Sequence, residues 1–197
     1  MGRGHLVVFV KAPRLGAVKT RLGRQIGHLA AWRFHRRMLR ELSRRLARDR
    51  RWRCVLVVTP DDGAIAEWPR DIPRIGQGRG DLGQRMARAM AAVPAGPVVL
   101  VGGDIPGLGP EHVDRAFAAL RRAEVVFGPA ADGGFWLVGL RRGRRARQLF
   151  RDVRWSSPQA LTDTLANLPA AARVALVDEL ADVDTAEDYR RFLDRGT

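Results

Sequence analysis

The chain has a single cysteine, Cys54. A lone thiol excludes a disulfide scaffold and any zinc site built from several thiolates. Long apolar runs are missing too. The longest, such as Leu6–Val10 and Pro97–Val101, fall far short of the roughly 20 residues a membrane span needs. No secretory signal is legible, because Lys11 and Pro13 cut the first apolar stretch short. Lysine is nearly absent: of 35 basic residues only Lys11 and Lys19 are not arginine. Acid is scarce as well, with 21 Asp and Glu leaving a net charge of +14. These absences predict a soluble, cytoplasmic protein with no membrane partner.

What is present has a globular balance, 46% hydrophobic and 28% charged. A length of 197 residues predicts one domain over residues 1–197, able to bury roughly 70% of its unfolded surface without staples. The Arg skew has the look of a GC-rich coding bias. Where drift swaps exchangeable lysines for Arg, the two survivors mark places that need a compact ammonium, since the two cations are not equivalent at phosphates or in tight pockets. Most of the basic excess is local. Residues 21–53 carry twelve Arg against Glu41 and Asp49, and residues 141–154 carry seven against Asp152. Such a stripe can bind nucleic acid or another anionic partner through phosphates. It also reads as a solvated helix face, and the absence of interleaved aromatics argues against single-strand binding.

Apolar β-branched runs mark strands at Leu6–Val10, Trp52–Val58, Ile72–Ile75, Pro97–Val101, Val125–Phe127, Phe135–Leu140 and Arg173–Val177. Helical patterns cover about Leu29 to Arg50, with Leu39, Leu42 and Leu46 on one face; Leu82 to about Val93, with Asp81 as N-cap; and Pro110 to Arg122. A terminal helix begins at Asp184–Thr185, one of which caps it, and Thr59-Pro60-Asp61-Asp62-Gly63 reads as a turn. Cys54 falls inside a strand and reads as core. Strands alternating with helices give an α/β fold with a mainly parallel sheet.

Ligands in such sheets bind beyond the carboxyl ends of the strands, where three segments gather. Lys11-Ala-Pro-Arg-Leu-Gly16-Ala-Val-Lys19-Thr-Arg21 follows the first strand, with four cations and a glycine for close approach of a di- or triphosphate. It is not a Walker A loop, because Val18 precedes Lys19, and it also reads as an ordinary basic loop. Gly102-Gly103-Asp104 ends the most apolar strand; an acid there needs a partner, either a divalent cation or, as a helix N-cap or turn residue, the backbone of the strand-to-helix corner. Asp132-Gly133-Gly134-Phe135 reads as a tight hairpin or as the bed of a second substrate. The acidic run Asp182-Val-Asp184-Thr-Ala-Glu-Asp188 offers one carboxylate to a metal, or a helix cap. His5, His28, His35 and His112 have no metal-ligand spacing, and Ser156 and Ser157 lie in no G-x-S-x-G elbow.

Five motifs occur in order: K-A-P-x-x-G-x-V-K-T-R-L at Lys11–Leu22, G-D-L-G-Q-R-M at Gly80–Met86, G-G-D-I-P-G-L at Gly102–Leu108, G-P-A-x-D-G-G-F-W-L-V-G-L at Gly128–Leu140, and D-V-D-T-A-E-D at Asp182–Asp188. In them the chain resembles the bacterial arsenosugar-biosynthesis and selenodomain-associated glycosyltransferases, relatives of the 2-phospholactate and molybdenum cofactor guanylyltransferases. The resemblance implies a single-domain GT-A (nucleotide-diphospho-sugar transferase-like) three-layer sandwich with a mixed sheet. It further implies a nucleotide or nucleotide-sugar donor, a small-molecule acceptor, and Mg²⁺ or Mn²⁺ held by Asp104 and Asp184. Lys11, Lys19 and Arg21 would neutralise phosphates. Pro13, Gly16, Gly80, Asp81, Leu82, Arg85, Gly102 and Gly103 would lie against the nucleotide. Asp132, Gly133, Gly134 and Phe135 would face the acceptor, with Asp104, Lys19 and Asp132 catalytic. Gly103 stands where many relatives have Ser or Thr, Phe135 where many have Tyr, and a single Asp replaces the usual D-x-D. Glycosyl transfer is the first expectation and nucleotidyl transfer to a phosphorylated small acid the second. A nucleic-acid or anionic-partner module built on the Arg-rich helix is the third.

Overall fold

A computed structural model describes residues 3–61, 68–69, 71–142 and 146–195. Seven strands form one sheet among them: β1 (Gly4–Lys11), β2 (Trp52–Thr59), β3 (Arg74–Gly76), β4 (Val98–Gly102), β5 (Val125–Pro129), β6 (Phe135–Leu140) and β7 (Val174–Leu176), in the order β3-β2-β1-β4-β6-β5-β7. The β1–β2, β1–β4, β2–β3 and β5–β7 pairs are parallel. β6 alone runs antiparallel, between β4 and β5, because the turn from β5 is too short for a crossover.

The helices are α1 (Thr20–Ile26), α2 (His28–Arg48), α3 (Leu82–Ala91), α4 (Pro110–Ala119), α5 (Ala146–Leu149), α6 (Ala160–Ala166) and α7 (Ala186–Arg195). Their contacts divide into two layers. Leu39, Leu42 and Leu46 of α2 and Val113 and Ala116 of α4 join Leu6, Val8, Leu56, Val99 and Val101 in one cluster. Met86, Ala87 and Met90 of α3 and Ala146 and Leu149 of α5 join Val7, Val57, Val98, Leu100 and Phe127 in the other. Alternate residues of each central strand therefore face opposite helical layers, which is why these strands are apolar without a break.

The expected single-domain three-layer architecture is present, with shifts in detail. The helix expected from Leu29 to Arg50 starts at His28 and ends at Arg48, and a separate helix, α1, begins at the end of the segment read as a basic loop. Gly27, at φ +91, divides the two. The third strand starts at Arg74 rather than Ile72, whose side chain is core. Cys54 is half-buried against the α2/α4 cluster, and burial pushes its thiol up to about 12, so it is inert. Asp62 and Gly63 of the expected turn, and Arg144 and Arg145 of the second basic run, lie outside the described residues. None of the described helices is long and apolar enough to cross a membrane.

The two faces of α2 differ sharply in what they contribute. Leu46 is fully buried, whereas Leu29 is 49% exposed. Leu46→Ala should destabilise the fold by about 2–5 kcal/mol in urea unfolding, and Leu29→Ala by no more than about 0.5 kcal/mol. Equal losses would mean the helix is packed on the wrong face.

Candidate functional site

Strand order changes direction at β1. Chain order runs outward through β2 and β3 on one side and resumes with β4 on the other. Such a switch point leaves a crevice between the two diverging loops beyond the strand ends. The loops here are Ala12–Lys19 after β1 and Gly103–Gly109 after β4. Gly103 N–H donates to Phe9 O at 2.9 Å. A Cβ at Gly103 would stand 2.5 Å from Val10 Cγ1, so a Ser or Thr does not fit this backbone. Glycine at this position is thus a packing requirement.

Lys19 ends the first loop and caps α1 in the left-handed region, at φ 45° and ψ 46°. That conformation costs a non-glycine residue roughly 1–2 kcal/mol, and it aims the side chain inward, where it is only 4% exposed. Nζ lies 2.9 Å from Asp184 Oδ1, 3.4 Å from Asp104 Oδ2 and 3.8 Å from Asp182 Oδ2. Burial alone would pull the Lys19 pKa down, but the carboxylates of Asp104 and Asp184 outweigh it and hold the ammonium above its ordinary value. Arg21 Nη1 approaches Asp184 Oδ2 at 3.9 Å from a largely exposed position. Burial also pushes the Asp182 carboxyl up to about 6; Lys19 opposes that rise, while Asp184 and Asp104 add to it.

Asp184 reaches this point because it is not the cap of α7. Thr185 and Asp188 form a reciprocal capping box: Thr185 N–H donates to Asp188 Oδ2 at 2.9 Å and Asp188 N–H to Thr185 Oγ1 at 3.2 Å. Asp104 is no helix cap either, since α4 is capped at Gly109. Neither acid is therefore spent on a helix cap.

The remaining expected residues lie at four places: the loop after β1, the start of α3, the end of β4 and the hairpin into β6. Lys11 is exposed at the end of β1, Gly16 turns at φ +74 with open space beyond it, and Pro13 O accepts from Trp32 Nε1 at 2.7 Å. Gly80 has φ +109, Asp81 caps α3 by accepting from Gln84 N at 2.7 Å, and Leu82 packs into the α3/α5 core. Arg85 is half-buried beside Gln77. Gly102 lies half-buried at the end of β4. At the hairpin, Asp132 is exposed and accepts from Gly134 N at 2.9 Å. Gly133 turns at φ +83, where a Cβ would meet Pro158 O at 2.2 Å, so the tight-turn reading holds there. Phe135 packs edge-on against Phe127 and Trp155. Because β6 starts where β4 ends, this hairpin shares the sheet edge with Asp104.

Sequence reasoning missed three residues of this edge. Asp182 was legible as part of an acidic run, but nothing in its spacing separated it from its neighbours. Buried His35 donates from Nε2 to Lys11 O at 3.3 Å, and burial lowers its pKa, so it is neutral at pH 7. Buried Gln77 had no motif to announce it.

Among the described residues, no three His, Cys, Asp or Glu side chains stand ready to share an ion. The ammonium of Lys19 occupies the middle of the acid cluster instead. The donor set nevertheless suits a hard divalent cation: carboxylate oxygens only, 35–49% exposed, and in excess over the nearby positive charge.

A family model described as "Uncharacterized protein conserved in bacteria (DUF2064)" matches residues 41–157. The 2-phospho-L-lactate guanylyltransferase of Methanopyrus kandleri is 33% identical over 178 residues, covering 88% of this chain and 83% of the relative. A crystal structure from Desulfovibrio desulfuricans G20, named for the nucleotide-diphospho-sugar transferases, superposes with a TM-score of 0.89 at 29% identity, over 100% of this chain and 89% of the other. The Mycobacterium tuberculosis H37Rv protein Rv0371c, solved in complex with manganese, shares the fold at a TM-score of 0.59 and 18% identity, over 98% and 99% of the two chains.

Removing the central ammonium tests the cluster. Lys19→Met should cost on the order of 1–2 kcal/mol at pH 8, or about 3–8 °C in Tm, because the carboxylates keep some water. A carboxyl raised in the folded state binds more protons there than when unfolded, so stability falls as pH rises from about 4 through the folded value. With Lys19 gone, Asp182 loses the group that opposes this rise. The Tm deficit should therefore shrink between pH 8 and pH 5. A deficit independent of pH would mean the carboxylates do not share this cation.

Proposed function

This chain belongs to the DUF2064 family, and we propose that it is a metal-dependent nucleotidyltransferase that transfers the nucleoside monophosphate unit of a nucleoside triphosphate to a phosphorylated small acid. The observation that carries this reading is the convergence of Asp104, Asp182, Asp184 and Lys19 at the β1/β4 switch point. The guanylyltransferase relative supports the reaction type and points to GTP as the first donor to test. The manganese complex of Rv0371c supports a divalent metal.

In the reaction an acceptor phosphate oxygen attacks the α-phosphorus of the donor. The bond from that phosphorus to the bridging oxygen breaks, and pyrophosphate leaves with the electron pair. Exposed Lys11 and Arg21 flank the crevice and take up charge on the departing phosphates. Lys19 keeps the carboxylates from repelling the donor. Mg²⁺ or Mn²⁺, held by Asp104 with Asp184, supplies further neutralisation of the phosphates when bound. The hairpin Asp132–Phe135 brings an exposed carboxylate and bare backbone to the acceptor side of the same edge. Catalysis in this scheme is positional and electrostatic, and no protein nucleophile is required.

Glycosyl transfer, expected from the likeness to the arsenosugar-biosynthesis enzymes, is the second reading, favoured by the neighbour named for nucleotide-diphospho-sugar transferases. The products separate the two: pyrophosphate for nucleotidyl transfer, a nucleoside diphosphate for glycosyl transfer. A thermal-shift screen of nucleoside triphosphates and nucleotide sugars should find a donor that, with Mn²⁺ and at a hundredfold excess over its Kd, adds about 2.7 kcal/mol, or about 5–10 °C. Asp104→Asn should abolish the metal-dependent part of that shift and lower turnover at least a hundredfold, on the order seen when one charge-stabilising group is lost. No shift with any donor would overturn the proposal.

A further inference from the structure

On the far side of β1 from Asp104, a second polar assembly is buried that the acid cluster does not use. Gln77, 2% exposed, donates from Nε2 to Val10 O at 3.0 Å and to Val57 O at 3.2 Å. Two carbonyls around the nitrogen fix the amide's orientation. Oε1 must then face the other way, and there it accepts from Arg85 Nη1 at 2.9 Å. The backbone around Gln77 is held as firmly. Its N–H donates to Val58 O at 2.9 Å, and its carbonyl accepts from Arg88 Nη1 at 2.7 Å. Arg88 Nη2 also reaches Arg79 O at 2.8 Å, and Asp61 accepts Gly78 N–H at 3.0 Å.

Arg85 itself is incompletely used. Its Nε donates to Asp81 O at 3.3 Å and its Nη1 to Gln77. That engages two of the five N–H groups of a guanidinium. Among the described residues no carboxylate pairs with it, although it is half-buried. A half-buried cation with three unspent donors and no counter-charge calls for an anionic, acceptor-rich ligand. Lys19 is in the opposite condition, with its ammonium already shared among three carboxylates.

We infer that Gln77 is a positioning residue for the donor nucleotide: it locks Arg85 at the end of β1 and β2 so that the guanidinium fork grips the donor's phosphates. The inference rests on the nucleotide reading above and adds to it a division of labour. Arg85 carries the geometry of phosphate recognition, and Lys19 balances the acid cluster.

The test is titration calorimetry of GTP and of CTP with Mn²⁺, alongside steady-state kinetics with whichever donor turns over. Arg85→Ala, which leaves the bonds from Gln77 to Val10 and Val57 in place, should weaken nucleotide binding at least tenfold. Gln77→Leu should do the same and raise KM more than it lowers kcat. The double variant should be no weaker than Arg85→Ala alone, since the amide acts only through that guanidinium. Gln77→Glu, which pairs Arg85 with a carboxylate, should also lose at least tenfold, and it stands in if Gln77→Leu does not fold. Folded Gln77 variants with wild-type Kd, or losses that simply multiply in the double variant, would assign Gln77 a structural role alone. A wild-type protein that binds no nucleoside triphosphate and no nucleotide sugar would bring down the nucleotide reading and this inference together.

Discussion

The site is organised by one buried ammonium. Lys19 draws together three carboxylates that the chain carries on two segments more than seventy residues apart, Asp104 after β4 and Asp182 and Asp184 ahead of α7. Without a cation among them these acids would repel one another across a half-buried crevice. With it, the loops after β1 and β4 and the stretch before α7 are tied at one point. The left-handed backbone at Lys19 belongs to the same constraint. It is an unfavourable conformation for lysine, held where the side chain reaches all three carboxylates.

The charge pattern of the whole molecule makes sense around that point. The protein is strongly basic, yet its crevice holds a knot of acid. In the proposed reaction such a positive field would draw in a polyanionic donor from a distance, and the acid knot would offer oxygen ligands to a hard cation arriving with it. The arginines of α2 serve no comparable convergence. Arg37 pairs with Glu41 on the same helix, and Arg36 stacks over Trp32 at 5.1 Å. These are the local contacts of a solvated helix face.

Much of this was legible in the sequence, because central strands buried on both faces leave apolar runs that end sharply, and the polar residues that follow fall at the strand ends. Lys11, Asp104 and Gly133 could be placed on that ground alone. The sparing use of lysine was informative at one position and not the other: Lys19 is a compact ammonium in a closed setting, whereas Lys11 is exposed and an arginine would have room there. Short elements were not legible. α1 and α5 have seven and four residues, too few to show an apolar period. Gln77 was invisible because its importance lies in carbonyls contributed by two other strands. Asp182 was indistinguishable from its acidic neighbours until the fold decided which of them turned inward.

The C-terminal segment shows how far the acid cluster depends on tertiary packing. The aromatic residues of α7 meet Phe34 of α2, with Tyr189 at 5.0 Å and Phe192 at 5.6 Å between ring centroids. Val183 joins Leu22 of α1 and Ala31 of α2 in a small separate cluster. Asp182 and Asp184 flank that buried valine, so seating Val183 against α1 and α2 also brings its two neighbours to Lys19, the residue that caps α1. The position of two of the three carboxylates is thus set from both sides, by this small apolar cluster and by Leu180, whose N–H donates to Pro129 O of β5 at 3.4 Å. Because Asp182 and Asp184 flank one buried residue, any displacement of Val183 would move both acids away from Lys19 at once.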